Sequence, residues 1–469
     1  MENFWGSETW GTFNVIAVLL VSLLFANILR RRIPFLKESL IPNSVLGGGV
    51  LILVAAVFKW CTGKVMFDTT FFGGQGTATL ELLTYHCLAL GFIASTFKPA
   101  KGKLTKQRTV EIFNTGITTV ATYLLQGVVG LIISLAAAHF ISGFFEAAGI
   151  LLPFGYGQGT GQAMNYGNIF ETENGFIEGK SFGLSVAALG FLSAALGGVF
   201  HLAVLKRKGK VAAKSGKNTA IKSEEIQAPN EIPMQESMDK LTTQVALVVL
   251  AYLLTYGLMA LLGNLLPGMK SVIYGFNFLL GVIIATGVKG ILNIWRKKDW
   301  VHREYTNTFL MTRISNFFFD LMVVAGVAAI RLSALENYWG ILLIMGVAGL
   351  GVTYVYNYFV AKTLFPAYHQ EQFLTMYGML TGTASTGVIL LREIDENFET
   401  PASDNMVYQN FPAIVFGFPI MLLATLAPKR PVLVLVILAG FFVVMNVILF
   451  RSFIFKKRRD KGNKGAKIR

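Results

Sequence analysis

Apolar runs about as long as a bilayer is thick follow one another through almost the whole chain. They lie near Thr12–Leu29, Asn43–Phe58, Leu80–Phe97, Ile112–Phe140, Phe182–Leu205, Leu241–Leu262, Val272–Ile294, Thr308–Ile330, Tyr338–Ala361, Val407–Leu426 and Val432–Leu449. A helix needs ~20 apolar residues to cross the hydrocarbon layer, and in lipid each backbone amide has to be bonded inside its own element. Eleven such runs in 469 residues predict an all-α polytopic membrane protein. Only 14% of the residues are charged, against about a quarter in soluble domains. The formal charge of +15 would point to nucleic acid in a soluble chain. Here Lys and Arg gather at the ends of apolar runs, as in Arg30–Arg32 and Arg296–Lys298, where they set membrane orientation instead. Nucleic acid is therefore not an expected partner.

Two stretches break the pattern. Pro153-Phe154-Gly155-Tyr156-Gly157-Gln158-Gly159-Thr160-Gly161-Gln162 and Tyr377-Gly378-Met379-Leu380-Thr381-Gly382-Thr383-Ala384-Ser385-Thr386-Gly387 lie between long apolar segments, yet both are rich in Gly, Ser, Thr and Gln. Irregular backbone at membrane depth is tolerated only where protein buries it or it lines a wet cavity. Paired interruptions in the two halves of a chain point to the binding site of a secondary transporter. Each stretch is expected to dip into the membrane and return, near 149–171 and 372–394.

On this reading residues 1–205 form one repeat and 241–430 a second, inverted one. Residues 206–240 form a basic cytoplasmic linker with little to bury, read as a flexible tether. Residues 431–469 add one more crossing and a basic tail. Leu88–Ser95 parallels Val323–Ile330, and each is followed by a long helix, an irregular stretch and a Phe/Gly-rich crossing. With five crossings per half, the second half enters from the opposite face. Placing the linker inside puts the basic clusters at Arg30–Arg32, Lys98–Arg108, Arg296–Lys298 and the tail inside as well. The N-terminus is then outside and the C-terminus cytoplasmic. Met1–Gly11 has acids and no basic n-region, so no cleaved signal peptide is expected.

In the first stretch, glycines that adopt unusual backbone angles can aim amide N–H groups at an anion. Gln158, Thr160, Gln162 and Asn165 add neutral polar groups. In the second, Thr381, Thr383, Ser385 and Thr386 bring hydroxyls; with freed carbonyls these are hard ligands for Na⁺, and freed N–H groups suit a carboxylate. Arg392 can grip a carboxylate through two parallel bonds. Asp320 lies inside an apolar segment with Asn316 one turn earlier, an arrangement suited to a coupling cation. Glu81, Glu111 and Glu146, near segment ends, are expected to face water. Gln126 suits either a packing or a binding role. The two cysteines and five scattered histidines have no metal-site spacing, and no nucleophile–base set assembles, so neither an enzyme nor a bound cofactor is expected.

At these residues the chain resembles the bacterial sodium/glutamate symporter family, a distant relation of the 2-hydroxycarboxylate carriers. The family's Gly-Gly-His-Gly-Thr-type loop is matched by Gly155-Tyr156-Gly157-Gln158-Gly159-Thr160, with Gln158 where His is usual. Its second loop is matched loosely by Tyr377–Gly387, with Ala384-Ser385-Thr386 in place of Thr-Pro-Thr. The Phe176–Gly198 and Pro401–Pro419 regions, each following a loop, are also similar. The resemblance implies a homodimer of inverted five-crossing repeats with re-entrant loops in the inner membrane, and Na⁺-coupled uptake of glutamate or a similar small carboxylate. Gly157, Gln158, Gly159, Thr160, Gln162, Thr381, Gly382, Thr383 and Arg392 are the expected substrate contacts; Asn316, Asp320, Ser385 and Thr386 are the expected cation contacts. The alternatives are carriage of another organic anion such as citrate, and cation/proton antiport centred on Asp320.

Overall fold

The computed structural model describes residues 4–38, 41–98, 105–208, 230–234, 238–267, 270–300, 303–331, 338–395 and 399–454. Within these the chain is nearly all helix, with a single isolated bridge pairing Glu231 and Glu304. The long helices are α1 (Ser7–Arg32), α2 (Asn43–Thr62), α3 (Gly76–Thr96) and α4 (Lys106–Phe140). The first polar stretch gives α5 (Leu151–Gln158) and α6 (Thr160–Asn174), followed by α7 (Gly179–Arg207). The second half supplies α8 (Lys240–Leu265), α9 (Asn277–Lys297), α10 (Thr308–Ala328) and α11 (Trp339–Leu364). The second polar stretch gives α12 (His369–Thr381) and α13 (Ala384–Arg392). Then come α14 (Ala402–Tyr408), α15 (Asn410–Leu426) and α16 (Pro431–Leu449). Among the described residues ten helices are long and apolar enough to cross a bilayer, and α14 with α15, bent by 52°, makes an eleventh when counted as one span. The chain is a multi-pass membrane protein.

Contacts divide the chain into two compact units that cut across the sequence halves. One takes its described residues from Met1–Lys103, Thr160–Ala188 and Ala213–Glu336, the other from Leu104–Gly159, Leu189–Ala212 and Asn337–Arg469. Each half of the sequence supplies helices to both.

In the first unit α3 and α10 lie antiparallel. Ser315 donates to the Gly91 carbonyl at 2.9 Å, while Ile93, Ala94 and Phe97 share a core with Met311 and Ile314. Around this pair the packing is matched. α2 rests on α10 with Gly48 against Val327, and α9 rests on α3 with Gly281 against Ile93; α1 packs on α2 as α8 packs on α9. Small residues at these crossings let the helices approach closely, which is what holds helices together where lipid removes the hydrophobic driving force.

The end of the basic segment before α8 departs from the expected free tether. Asn230–Met234 is docked on the α9–α10 connection: Ile232 N–H donates to the Glu304 carbonyl and Glu304 N–H to the Asn230 carbonyl. Glu231 is buried against Lys240 Nζ at 2.7 Å and also accepts from Asn307 Nδ2 at 2.6 Å. An ion pair removed from water holds only when each charge is well partnered, and Asn307 supplies that while capping α10 through Leu310 N–H. Residues 209–229 and 235–237 of the expected linker lie outside the described residues, as does the basic tail from residue 455.

In the second unit α4 and α11 are antiparallel, α5 and the helical turn that leads into it (Glu146–Ile150) run antiparallel to α4 with Gly149 against Gly130 and Gly157 against Tyr123, and α12 turns back along α11. α16 packs on α4, with Leu438 against Gly127. Glu111, expected to face water, is instead a half-buried hub for Arg108 at 2.6 Å and the Tyr368 hydroxyl at 2.9 Å. Burial pushes the Tyr368 phenol well above its ordinary range, so it stays protonated and donates to the carboxylate. Asn405 donates in turn to Tyr368 and Gln372, and Gln372 to Thr115.

Candidate functional site

Both polar stretches are helical over most of their length, against the expectation of extended irregular backbone. Of the glycines in the first, only Gly159 takes a conformation reserved for glycine, at φ 82° and ψ −170°. Gly157 and Gly161 sit in ordinary helix, because their missing side chains make room for Tyr123 and Leu88. The break therefore falls at one residue, between α5 and α6.

In the first unit, α6 starts at Thr160, which packs on Gly326 of α10. A helix start leaves amide N–H groups without intrahelical partners, and the partial positive charge there favours an anion. Thr160 and Gln162 lie in this first turn and are at most 1% exposed. Gln162 Oε1 accepts from Asn165 Nδ2 at 2.9 Å, whereas Thr160 Oγ1 and Gln162 Nε2 have no hydrogen-bond partner among the described residues. Two buried groups able to donate thus stand in the first turn of this helix. Asn165 is also held by the Gly275 carbonyl at 3.3 Å, which fixes the turn. After α6, Lys180 pairs with Glu81 at 2.8 Å and Glu171 at 3.7 Å, so Glu81 too is partnered rather than simply solvated.

In the second unit, α12 and α13 fold back on each other as a tight helical hairpin. A side chain on Gly378 would begin 2.8 Å from the Gly387 Cα, so only glycines allow the arms to touch. The tip is Gly382-Thr383. Thr383 is an N-cap residue with extended backbone (φ −139°, ψ 171°) whose side chain does not cap α13; its hydroxyl lies 3.4 Å from that of Thr386 instead. Gly190 of α7 is the meeting point of this hairpin with the end of α5. A β-carbon there would lie 2.5 Å from the Thr381 carbonyl oxygen and 3.3 Å from the Tyr156 Cα. Tyr156 is pinned by Ser193 at 2.8 Å and the Gly346 carbonyl at 2.7 Å, and Tyr377 by the Ser193 carbonyl at 2.7 Å. Gly157, Gln158, Gly159, Thr381, Gly382, Thr383 and Thr386 therefore belong to one neighbourhood of this unit; the side chain of Ser385 lies outside the described residues.

No protein-family model matches the chain, and no curated protein is detectably similar to it.

Three expected residues are not brought to these positions. Arg392 is exposed in the last turn of α13, and at 1.5 Å per residue it stands about 12 Å along the helix from the tip. Asn316 and Asp320 are exposed on α10; the Ser44 hydroxyl of α2 bonds to the Asp320 carboxylate, whereas Thr160 meets the same helix two turns on, at Gly326. Single-sequence reasoning places a residue on a helix but not on the side that a neighbour will occupy. It also leaves the role of Gln126 open. Gln126 is wholly buried and donates from Nε2 to Thr353 Oγ1 at 2.8 Å and the Leu380 carbonyl at 2.9 Å. The signal that marks it is a repeat, Thr122-Tyr123-x-x-Gln126 and Thr353-Tyr354-x-x-Asn357.

Proposed function

We propose that this protein is a secondary active transporter that couples uptake of a small carboxylate, glutamate or a close chemical relative, to inward movement of Na⁺. The observation that carries the reading is the start of α6, where the Thr160 hydroxyl and the Gln162 amide nitrogen are buried with no hydrogen-bond partner among the described residues, in the first turn of a helix. Leaving a buried donor unmade costs about 1–3 kcal/mol. A carboxylate bound to both would recover that cost on arrival and forfeit it on departure, as a carrier's site requires. The start of α13 at Thr383, whose side chain does not cap it, offers the same kind of group.

The matched packing of α2 on α10 and α9 on α3 favours an inverted repeat. So does the antiparallel pairing of α4 with α11. In this reading each break is the tip of a re-entrant pair of arms: α5 runs against α4 on the way in, and α12 and α13 form the second pair. Driving force comes from the Na⁺ gradient and the membrane potential, which contributes about 2.3 kcal/mol per charge at 100 mV. The basic clusters give an orientation with the C-terminus cytoplasmic.

Purified protein in liposomes tests the reading. Labelled glutamate is expected to accumulate above its outside concentration when Na⁺ is placed outside, and not when choline replaces it. Uptake that ignores Na⁺ removes the coupling; equilibration without accumulation makes the protein a passive pore.

A further inference from the structure

Thr122-Tyr123-Leu124-Leu125-Gln126 on α4 and Thr353-Tyr354-Val355-Tyr356-Asn357 on α11 share a design: threonine, then tyrosine, then a carboxamide one helical turn after the threonine. The helices are antiparallel, and the two motifs bond reciprocally. Gln126 Nε2 donates to Thr353 Oγ1 at 2.8 Å, and Asn357 Nδ2 donates to Thr122 Oγ1 at 3.3 Å. Each amide also donates to a backbone carbonyl, Gln126 to Leu380 and Asn357 to Thr353, both at 2.9 Å. The Leu380 carbonyl is available because it lies in the last turn of α12, where carbonyls lose their intrahelical partners. Flipping either amide would set its oxygen against a carbonyl oxygen, so the orientation of both is fixed. The outcome is a pair of orphans: Gln126 Oε1 and Asn357 Oδ1 have no hydrogen-bond partner among the described residues, although Thr122, Gln126, Thr353, Asn357 and Leu380 are all at most 1% exposed.

We propose that these two oxygens, one from each half of the sequence, are ligands of a Na⁺ ion, with the hydroxyl oxygens of Thr122 and Thr353 beside them. Every group in the patch is a neutral hard oxygen, which suits an alkali cation; a divalent ion would call for carboxylates. The inference rests on the Na⁺-coupled reading and moves the coupling ion away from Asn316 and Asp320. It also gives the ion a lever. The amide that would ligate it holds the Leu380 carbonyl, one residue before Thr381 and the hairpin tip, so occupancy by Na⁺ stiffens the end of α12.

The test uses the full chain in detergent, melted across a NaCl titration at constant ionic strength with choline chloride, and the same proteins in liposomes for labelled-glutamate uptake. Wild type is expected to gain stability saturably with Na⁺. Gln126→Leu and Asn357→Leu are expected to raise the half-saturating Na⁺ concentration by roughly tenfold or more, a loss of about one tenfold step in affinity each. Gln126→Glu keeps the shape but, once ionised, sets an oxygen against the Leu380 carbonyl and adds a charge beside the site, so its half-saturating Na⁺ concentration is expected to differ from wild type and to depend on pH where that of wild type does not; it decides the matter if the leucine variants do not fold. A wild type that melts alike in Na⁺ and choline overturns the site, as a bound water in place of the ion requires. So does an unchanged half-saturating concentration in any folded variant. If uptake stays Na⁺-dependent in those cases, the transport reading survives and only this site falls; uptake indifferent to Na⁺ removes the reading itself.

Discussion

The two polar stretches are alike in composition and differ in how they break. In the first, one glycine in a glycine-only conformation separates α5 from α6, and the two arms belong to different compact units. In the second, both arms belong to one unit and press together at Gly378 and Gly387. A break that depends on one residue's backbone angle constrains only the chain there. A hairpin that depends on two apposed glycines constrains side-chain volume along both arms. The first stretch thus keeps unpartnered polar groups in its first turn, while the second is a tightly packed body with its polar groups at the tip.

The largest expected effect is at the hairpin. Gly378→Leu and Gly387→Val have to push backbone apart, beyond the about 1–3 kcal/mol typical of overpacking, and should abolish the monodisperse peak in size-exclusion chromatography of a fluorescent fusion. Gly157→Ala, whose Cβ would begin 2.1 Å from the Tyr123 ring, has to displace that side chain and its bond to the Gly157 carbonyl rather than backbone, and should lower the Tm while leaving that peak intact. If both behave alike, the contrast in packing is wrong. Next in size is Gly159→Ala, which forces a side chain into a region essentially closed to it and should cost about 1–3 kcal/mol, seen as a lower Tm with transport lost.

Smaller still is an effect of unusual sign. Thr160→Val deletes a buried hydroxyl that has no partner among the described residues, so the ligand-free protein should be more stable by up to about 1 kcal/mol, because an unmet desolvation cost disappears; Gln162→Leu also gives up the acceptor of the Asn165 amide and should be close to neutral. The same variants should raise the KM for carboxylate roughly tenfold, the loss of one hydrogen bond to a charged group. The smallest effect belongs to Arg392→Gln. Far from the tip, it should change KM less than twofold; a large rise would restore Arg392 as a substrate contact.

Much of the architecture was legible in the sequence because length and apolarity are strict demands of a bilayer. The eleven expected segments correspond to the ten long helices and the bent α14–α15 pair. The two interruptions were legible as well, through glycine density. Which glycine breaks the helix was not, because Gly155, Gly157, Gly159 and Gly161 look the same until Tyr123 and Leu88 are seen to fill the space left by two of them. Glu111 and the Asn230–Met234 segment were misread as solvated for a similar reason: a charge near a helix end tells nothing of a tyrosine 257 positions away in the sequence. The matched Thr-Tyr-x-x-Gln and Thr-Tyr-x-x-Asn motifs were present throughout, but two polar residues a turn apart in an apolar helix acquire meaning only once the antiparallel register brings the motifs face to face.

The account turns on the first turn of α6 holding a carboxylate. Thermal melting of detergent-solubilised wild type and of the Thr160→Val/Gln162→Leu double variant, with and without glutamate in Na⁺, measures it most directly. Wild type should be stabilised by glutamate, and the double variant should not respond to it. A wild type that does not respond to glutamate, or a double variant that responds as wild type does, would contradict the account.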